Sequence, residues 1–192
     1  MISLQKPLIL ASNSPRRKQL LAEAGFDFTV EVLPTDETFP ATLPAEQVAD
    51  HISRGKAEMF RGIRPDAIVL TADTIVVADH EILGKPRNFE EAFQMLQMLS
   101  GQAHTVITSV SLLSDNNIET VSDVAKVTLS ALENWEISHY IEHYKPFDKA
   151  GSYGIQEWIG MIGVEKIEGS FYTIMGLPVH IVYKLLKPYF IS

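Results

Sequence analysis

Residues 67–77 form a β-branched, apolar run, Ala-Ile-Val-Leu-Thr-Ala-Asp-Thr-Ile-Val-Val, broken by one carboxylate, Asp73. Such a run reads as a central strand of a sheet. A carboxylate inside it is costly to bury unless it is paired or holds a metal. Asp73 therefore either opens into a cleft or is tied into a salt bridge, and its position alone favours neither.

The flanking segments set the fold class. Residues 7–11 read as a short buried strand, after which Ser14 as N-cap and Pro15 at the first helical position open a helix. That helix carries Leu20, Leu21 and Ala24 on one side and ends at Gly25. Residues 26–33 alternate apolar and polar side chains, as a half-buried strand does. Residues 44–61 read as a helix with Val48, Ile52 and Met59 inward, and Asp79-His80 as a tight turn into residues 81–83. Asn88, with Glu91 three residues on, has the spacing of a capping box. The helix it opens has Phe93, Leu96 and Leu99 on its inner face and stops at Ser100-Gly101. Residues 104–113 and 118–129 read as antiparallel strands joined across Asp115-Asn116-Asn117, and residues 133–143 as a helix. Residues 164–167 and 171–175 read as a hairpin turning at Glu168-Gly169, and residues 177–186 as a closing helix after Gly176. Strands and helices alternate early and strands pair locally later. The pattern predicts an α/β chain with a mixed, partly antiparallel twisted sheet flanked by helices. No repeat, low-complexity stretch or linker interrupts it, so residues 1–192 are expected to form a single domain.

Composition removes several function classes. Sixteen Lys and Arg against 24 Asp and Glu give a net charge of −8. A chain of that sign is a poor nonspecific polyanion binder, so no stable nucleic-acid partner is expected, and phosphate recognition must come from a few local cations. The absence of cysteine excludes disulfides, thiolate metal sites and a cysteine nucleophile. No run approaches the ~20 apolar residues of a membrane span, and the N-terminus lacks a signal-peptide pattern, so no membrane association and a cytoplasmic location are expected. The six histidines show no zinc spacing. His139 and His143 lie at i, i+4 without a Glu beside the first, as a surface pair on a helix.

Six places offer chemistry. Ser12-Asn13-Ser14-Pro15-Arg16-Arg17 joins a strand to a helix, where backbone N–H groups, hydroxyls and guanidinium forks suit phosphate oxygens. A capped surface helix with solvated arginines is the alternative. Asp73, followed by Thr74, is the second place. Lys85, in the turn Gly84-Lys85-Pro86-Arg87, can serve a phosphate as a point charge. Lys56 follows Gly55 on a helix, and a helical glycine suggests close approach by another element. The loop at residues 148–156, Asp-Lys-Ala-Gly-Ser-Tyr-Gly-Ile-Gln, combines two glycines with Gln156, whose amide can pair with the edge of a base. Asp36 and Glu37, in a loop before Pro40, can ligate a hard cation or form a solvated acidic turn.

Taken together, these elements resemble the Maf family of nucleoside triphosphate pyrophosphatases. The string Leu10-Ala11-Ser12-Asn13-Ser14-Pro15-Arg16-Arg17 followed by Leu20-Leu21 is similar to that family's opening motif. Ala72-Asp73-Thr74, Gly84-Lys85-Pro86, Leu99-Ser100-Gly101, the loop at 148–156 and Gly176-Leu177-Pro178 follow in the family's order and spacing. The resemblance implies two lobes around a cleft, an architecture related to the inosine triphosphate pyrophosphatases. It implies hydrolysis of a nucleoside triphosphate to monophosphate and pyrophosphate with Mg²⁺ or Mn²⁺, and a homodimer. Arg17, Thr74 and Gln156 resemble the branch acting on dTTP and UTP, where the branch acting on 7-methyl-GTP has Trp, Gln and Glu. Thr71, where glycine is frequent, departs from the pattern and is expected to point away from the site.

The roles implied by the resemblance divide between chemistry and recognition. Asp73 would orient and deprotonate the water that attacks the α-phosphorus, and Glu37 and Asp73 would hold the cation. Arg16, Lys56 and Lys85 would offset triphosphate charge, Ser12 and the N–H groups near Ser14 would hold phosphate oxygens, and Arg17, Thr74 and Gln156 would read the pyrimidine. The alternatives are the same reaction on 7-methyl-GTP or other modified nucleotides, and a non-catalytic nucleotide-binding regulator of cell division.

Overall fold

The computed structural model describes residues 2–191. From the N-terminus, β1 (Leu8–Leu10) leads into α1 (Pro15–Glu23), the two-residue β2 (Thr29–Val30), α2 (Ala45–Glu58), β3 (Ile68–Ala78) and β4 (Glu81–Leu83). Next come α3 (Phe89–Leu99), the long strands β5 (Ala103–Ser114) and β6 (Asn117–Leu129), and α4 (Asn134–Tyr144). The chain closes with α5 (Trp158–Gly163), β7 (Val164–Glu168), α6 (Phe171–Met175) and α7 (Val179–Leu186). The strands make one mixed seven-stranded sheet in the order β2-β1-β3-β5-β6-β7, with β4 added to β3. β1 runs parallel to both neighbours, whereas β4 on β3 and β7 on β6 are antiparallel. The apolar run thus occupies the interior of a sheet flanked by helices, as its composition requires.

Two-residue turns fix the hairpin registers. Asp79 and His80 have φ of 47° and 66°, and Asp115 and Asn116 have φ of 51° and 61°. This left-handed pair matches the strand twist, and short polar side chains tolerate it best.

The chain divides into two compact units. The first comprises the chain up to Asp73, Thr108–Asp123 and the chain from Gly176. Its core includes Ile9, Ala11, Ala57, Phe60, Ala67, Val69, Leu113 and Ile118, with Leu33 packed against it. The second comprises Thr74–Ile107 and Val124–Met175. There α3 packs on α4, burying Ala92, Leu96 and Leu99 along one helix and Ile137, Tyr140 and Ile141 along the other. Among the described residues no helix is long and apolar enough to cross a membrane.

Several local expectations change. Of residues 26–33 only Thr29 and Val30 form a strand on β1, which offers a ladder only three residues long, and Phe26 makes an isolated parallel bridge to Ile2. Met59 lies at the C-cap of α2 and is exposed rather than inward. No atom lies within 4 Å of where a Cβ on Gly55 would stand, so no element makes a close approach there. Residues 171–175 are helical and form no hairpin; β7 pairs with β6 instead. Asn88 caps α3 by accepting from Glu91 N–H at 2.9 Å, but the Glu91 carboxylate turns to Arg87 N–H at 2.8 Å, so only half of the capping box forms.

Candidate active site

In the first unit the parallel register of β1 and β3, with Leu10 opposite Leu70, places the β1-to-α1 connection beside the stretch of β3 that carries Asp73. Ligands in parallel sheets gather at such carboxyl ends of strands. Ser12 is buried, and its Oγ accepts from Ser14 N–H at 3.2 Å and from Arg17 Nη1 at 3.4 Å. Ser14 caps α1, accepting from Arg17 N–H at 3.5 Å, and Pro15 removes another N–H that the first turn would leave unsatisfied. The helix start is therefore closed upon itself by its own hydroxyls.

Arg17 is anchored by its Nε, which donates to the Gly176 carbonyl at 2.7 Å. Burial lowers its pKa, the nearby Asp73 carboxylate opposes that shift, Arg16 adds to it, and Glu37 also opposes it. The guanidinium therefore shares an electrostatic neighbourhood with Arg16, Glu37 and Asp73.

Thr71 and Asp73 alternate with Ala72 and project from the same face of β3, toward α2. Thr71 Oγ1 donates to the Ser53 carbonyl at 2.6 Å, and Asp73 Oδ1 accepts from Lys56 Nζ at 2.8 Å. Thr71 thus does not point away from Asp73; its hydroxyl is consumed by the helix backbone one turn before Lys56. Lys56 Nζ also lies 2.8 Å from Glu37 Oε1. The Asp73 and Lys56 side chains are only 14% and 15% exposed, whereas Glu37 is half open at 51%. Asp36, next to Glu37, instead closes its own turn by accepting from Thr38 N–H, which lowers its pKa.

This trio bears on a cation. Glu37 and Asp73 present oxygen atoms to one point, and the Lys56 ammonium stands there as a positively charged occupant. Two carboxylates are the hard-oxygen donor set that a divalent ion uses together with phosphate oxygens. Among the described residues no group of three or more His, Asp or Glu side chains forms a self-contained metal cage. The His139 and His143 ring centroids lie 4.2 Å apart with the rings tilted by 32°, and His143 Nδ1 is at the His139 carbonyl of the same helix.

The second unit carries Thr74, Lys85 and Gln156. Gly151, at φ 67°, donates its N–H to the Gly84 carbonyl at 3.1 Å, tying the loop at 148–156 to the turn that bears Lys85. A Cβ on Gly151 would meet Val76 of β3 at 3.0 Å, so the glycine permits close approach of the loop to the strand that also carries Thr74. Lys85 and Gln156 are exposed.

Sequence reasoning did not anticipate three polar residues that brace this loop. Lys149 is buried and pairs with Asp148 at 2.8 Å and Glu157 at 3.1 Å. The Tyr140 hydroxyl donates to Glu157 Oε2 and accepts from Gly154 N–H at 2.9 Å. Lys149 lies within the loop already singled out, but nothing in the spacing marks Tyr140, on α4, as a partner of Gly154 and Glu157.

A strand-to-helix turn rich in hydroxyls and arginine, beside a lysine shared by two carboxylates, is the site of this α/β chain. The family model described as Maf-like protein matches residues 7–189. The chain belongs to that family. It is 50% identical over 182 residues to a dTTP/UTP pyrophosphatase of Phocaeicola vulgatus, covering 94% of each chain. It is 47% identical over 182 residues to a dTTP/UTP pyrophosphatase of Bacteroides thetaiotaomicron, again covering 94% of each chain. The solved Staphylococcus aureus Ham1 protein superposes with a TM-score of 0.46 and 13% identity, over 65% of this chain and 72% of that one.

Proposed function

We propose that this chain hydrolyses dTTP and UTP to the nucleoside monophosphate and pyrophosphate, a housecleaning activity on nucleotide pools. The observation that carries the reading is the Lys56 ammonium held between Asp73 and Glu37 beside the half-buried Arg17. The dTTP/UTP pyrophosphatase activity of relatives at 47–50% identity supports the choice of substrate.

Displacement at phosphorus needs little covalent chemistry from the protein; it needs positioning and neutralisation of charge. Asp73 orients the attacking water and accepts its proton. Lys56, fixed through Asp73, sets the carboxylate's direction and offsets charge on the triphosphate together with Arg16 and Lys85. Ser12 and the start of α1 hold phosphate oxygens by exchanging the internal hydrogen bonds described above. Glu37 and Asp73 would hold a Mg²⁺ or Mn²⁺ ion, which when bound supplies charge neutralisation at the phosphate oxygens.

Arg17, Thr74 and Gln156 read the base. Uracil and thymine offer two carbonyl acceptors and one N–H, which a guanidinium and an amide can match. Cytosine replaces one acceptor with a donor, leaving a facing guanidinium unpaired at ~1–3 kcal/mol. Residues 1–192 act as one functional domain, as a homodimer in the cytoplasm. The family match over residues 7–189 supports the one-domain reading.

The test is a nucleotide panel with Mg²⁺ or Mn²⁺, detecting monophosphate and pyrophosphate separately. Stoichiometric release of both from dTTP and UTP, ahead of CTP and 7-methyl-GTP, is expected. Tight binding without turnover would favour a regulatory nucleotide-binding protein instead.

A further inference from the structure

The residues flanking Gln156 are held by close packing and hydrogen bonds. Ile155 and Ile159 are buried, while Gln156 between them is exposed. A Cβ on Gly160 would lie 2.0 Å from the Ile155 carbonyl oxygen, so the backbone there is in contact with itself. A Cβ on Gly154 would lie 2.8 Å from the carboxyl carbon of Glu157. That carboxylate receives the Tyr140 hydroxyl on one oxygen and Lys149 Nζ on the other. The Tyr140 oxygen in turn accepts from Gly154 N–H. Lys149, Gly154 and Glu157 bracket Gln156 from both sides, and the fully buried Tyr140 reaches Gly154 and Glu157 from α4, with Lys149 joined through Glu157.

An apolar core would hold α4 against this loop without three polar side chains. A satisfied polar network does something packing does not: it selects one backbone arrangement over its near neighbours. Burial raises the Tyr140 pKa, with Glu157 adding to the shift, so its hydroxyl remains a donor throughout the working pH range.

We propose that Tyr140 is a positioning residue for nucleobase selection: its buried hydroxyl, joined to Glu157 and Gly154, holds the turn that presents Gln156 to the pyrimidine. The inference rests on the reading of Gln156 as a base reader. It adds a residue that touches neither base nor phosphate but sets the angle from which the amide approaches.

The test compares Tyr140→Phe, Glu157→Gln and Gln156→Ala with the unchanged protein. Tyr140→Phe keeps the ring that stacks on Tyr144 at 5.1 Å and removes only the hydroxyl. Glu157→Gln keeps an acceptor for that hydroxyl but loses the charge paired with Lys149. The readouts are kcat and KM for UTP and CTP, and amide hydrogen exchange at residues 153–157. In Tyr140→Phe the UTP-over-CTP ratio of kcat/KM is expected to fall about tenfold, through KM, as the loss of one or two aligned hydrogen bonds implies. Exchange at Gly154 is expected to accelerate. Glu157→Gln is expected to fall between Tyr140→Phe and the unchanged protein in both respects. If Gln156→Ala loses the UTP preference while Tyr140→Phe and Glu157→Gln retain it, the positioning role is overturned and the base-reading role stands. If Gln156→Ala itself retains the preference, the base-reading role fails and the inference falls with it.

Discussion

Lys56 Nζ lies 2.8 Å from Asp73 Oδ1, and neither side chain is more than 15% exposed. The costly carboxylate inside the central strand is thereby compensated without being removed from reach. The same ammonium lies 2.8 Å from Glu37, which is half exposed. Lys56→Met is expected to leave two neighbouring carboxylates without their shared cation. Stability should fall by about 1–3 kcal/mol, the cost of stranding a partly buried polar group. The kcat for dTTP should fall on the order of 10²-fold, as for loss of one preorganised electrostatic donor. Urea unfolding and pyrophosphate release measure the two effects; an unchanged kcat would remove Lys56 from the mechanism.

The proposed reading assigns base choice to Arg17, Thr74 and Gln156. Arg17 is fixed through Gly176, so its guanidinium presents a defined fork. The combined change Arg17→Trp, Thr74→Gln and Gln156→Glu is expected to shift preference from UTP toward 7-methyl-GTP. Relative kcat/KM across the panel measures it. Unchanged ratios would show that other groups read the base.

Two glycines should respond in opposite directions. Gly55 lies within α2 with open space where a Cβ would go, so Gly55→Ala is expected to stabilise by about 0.5–1 kcal/mol. Gly160→Ala would drive a methyl group into the Ile155 carbonyl at 2.0 Å and should destabilise severely. Thermal unfolding of both variants decides; equal midpoints would contradict the packing described around Gln156.

The apolar run at residues 67–77, the Asp79-His80 turn and the Ser14-Pro15 helix start were legible because each is a local signal with one physical solution. The Asp115-Asn116-Asn117 turn, by contrast, is one residue shorter than expected, Asn117 already belonging to β6. The misread segments had local patterns that partner availability overruled. The alternation at residues 26–33 is real, but the short β1 can pair only two of those residues. Phe171, Tyr172 and Ile174 have strand-like side chains. Yet Gly169, at φ 108°, sits against the backbone of Val124 and Ala125, and β7 is already paired with β6. Ser170 then starts a helix, its carbonyl accepting from Thr173 N–H at 3.1 Å. The Asp73 site was half legible: sequence marked the carboxylate as needing a partner, but the partner's identity depended on which face of α2 met β3. Tyr140 was invisible because its partners lie on a different element.

His104 supplies a pH prediction. It is buried, its Nε2 lies 2.7 Å from the Tyr153 hydroxyl, and burial lowers its pKa from 6.5 to about 4. The unfolded chain therefore binds this proton more readily than the folded one. The contribution of neutral His104 is fully present above pH ~6.5 and is lost as pH falls toward 4, by on the order of 3 kcal/mol. Urea unfolding between these pH values should show that slope, and His104→Gln should flatten it. An equal slope in both proteins would assign the acid sensitivity to other groups.

The most direct test is the rate of pyrophosphate release from dTTP by Asp73→Asn. The amide retains an oxygen for Lys56 but cannot accept the water's proton. The account predicts an intact fold by circular dichroism and a kcat reduced by ~10²–10⁴-fold, the range of general-base catalysis. A folded Asp73→Asn protein that releases pyrophosphate at the unaltered rate would contradict it.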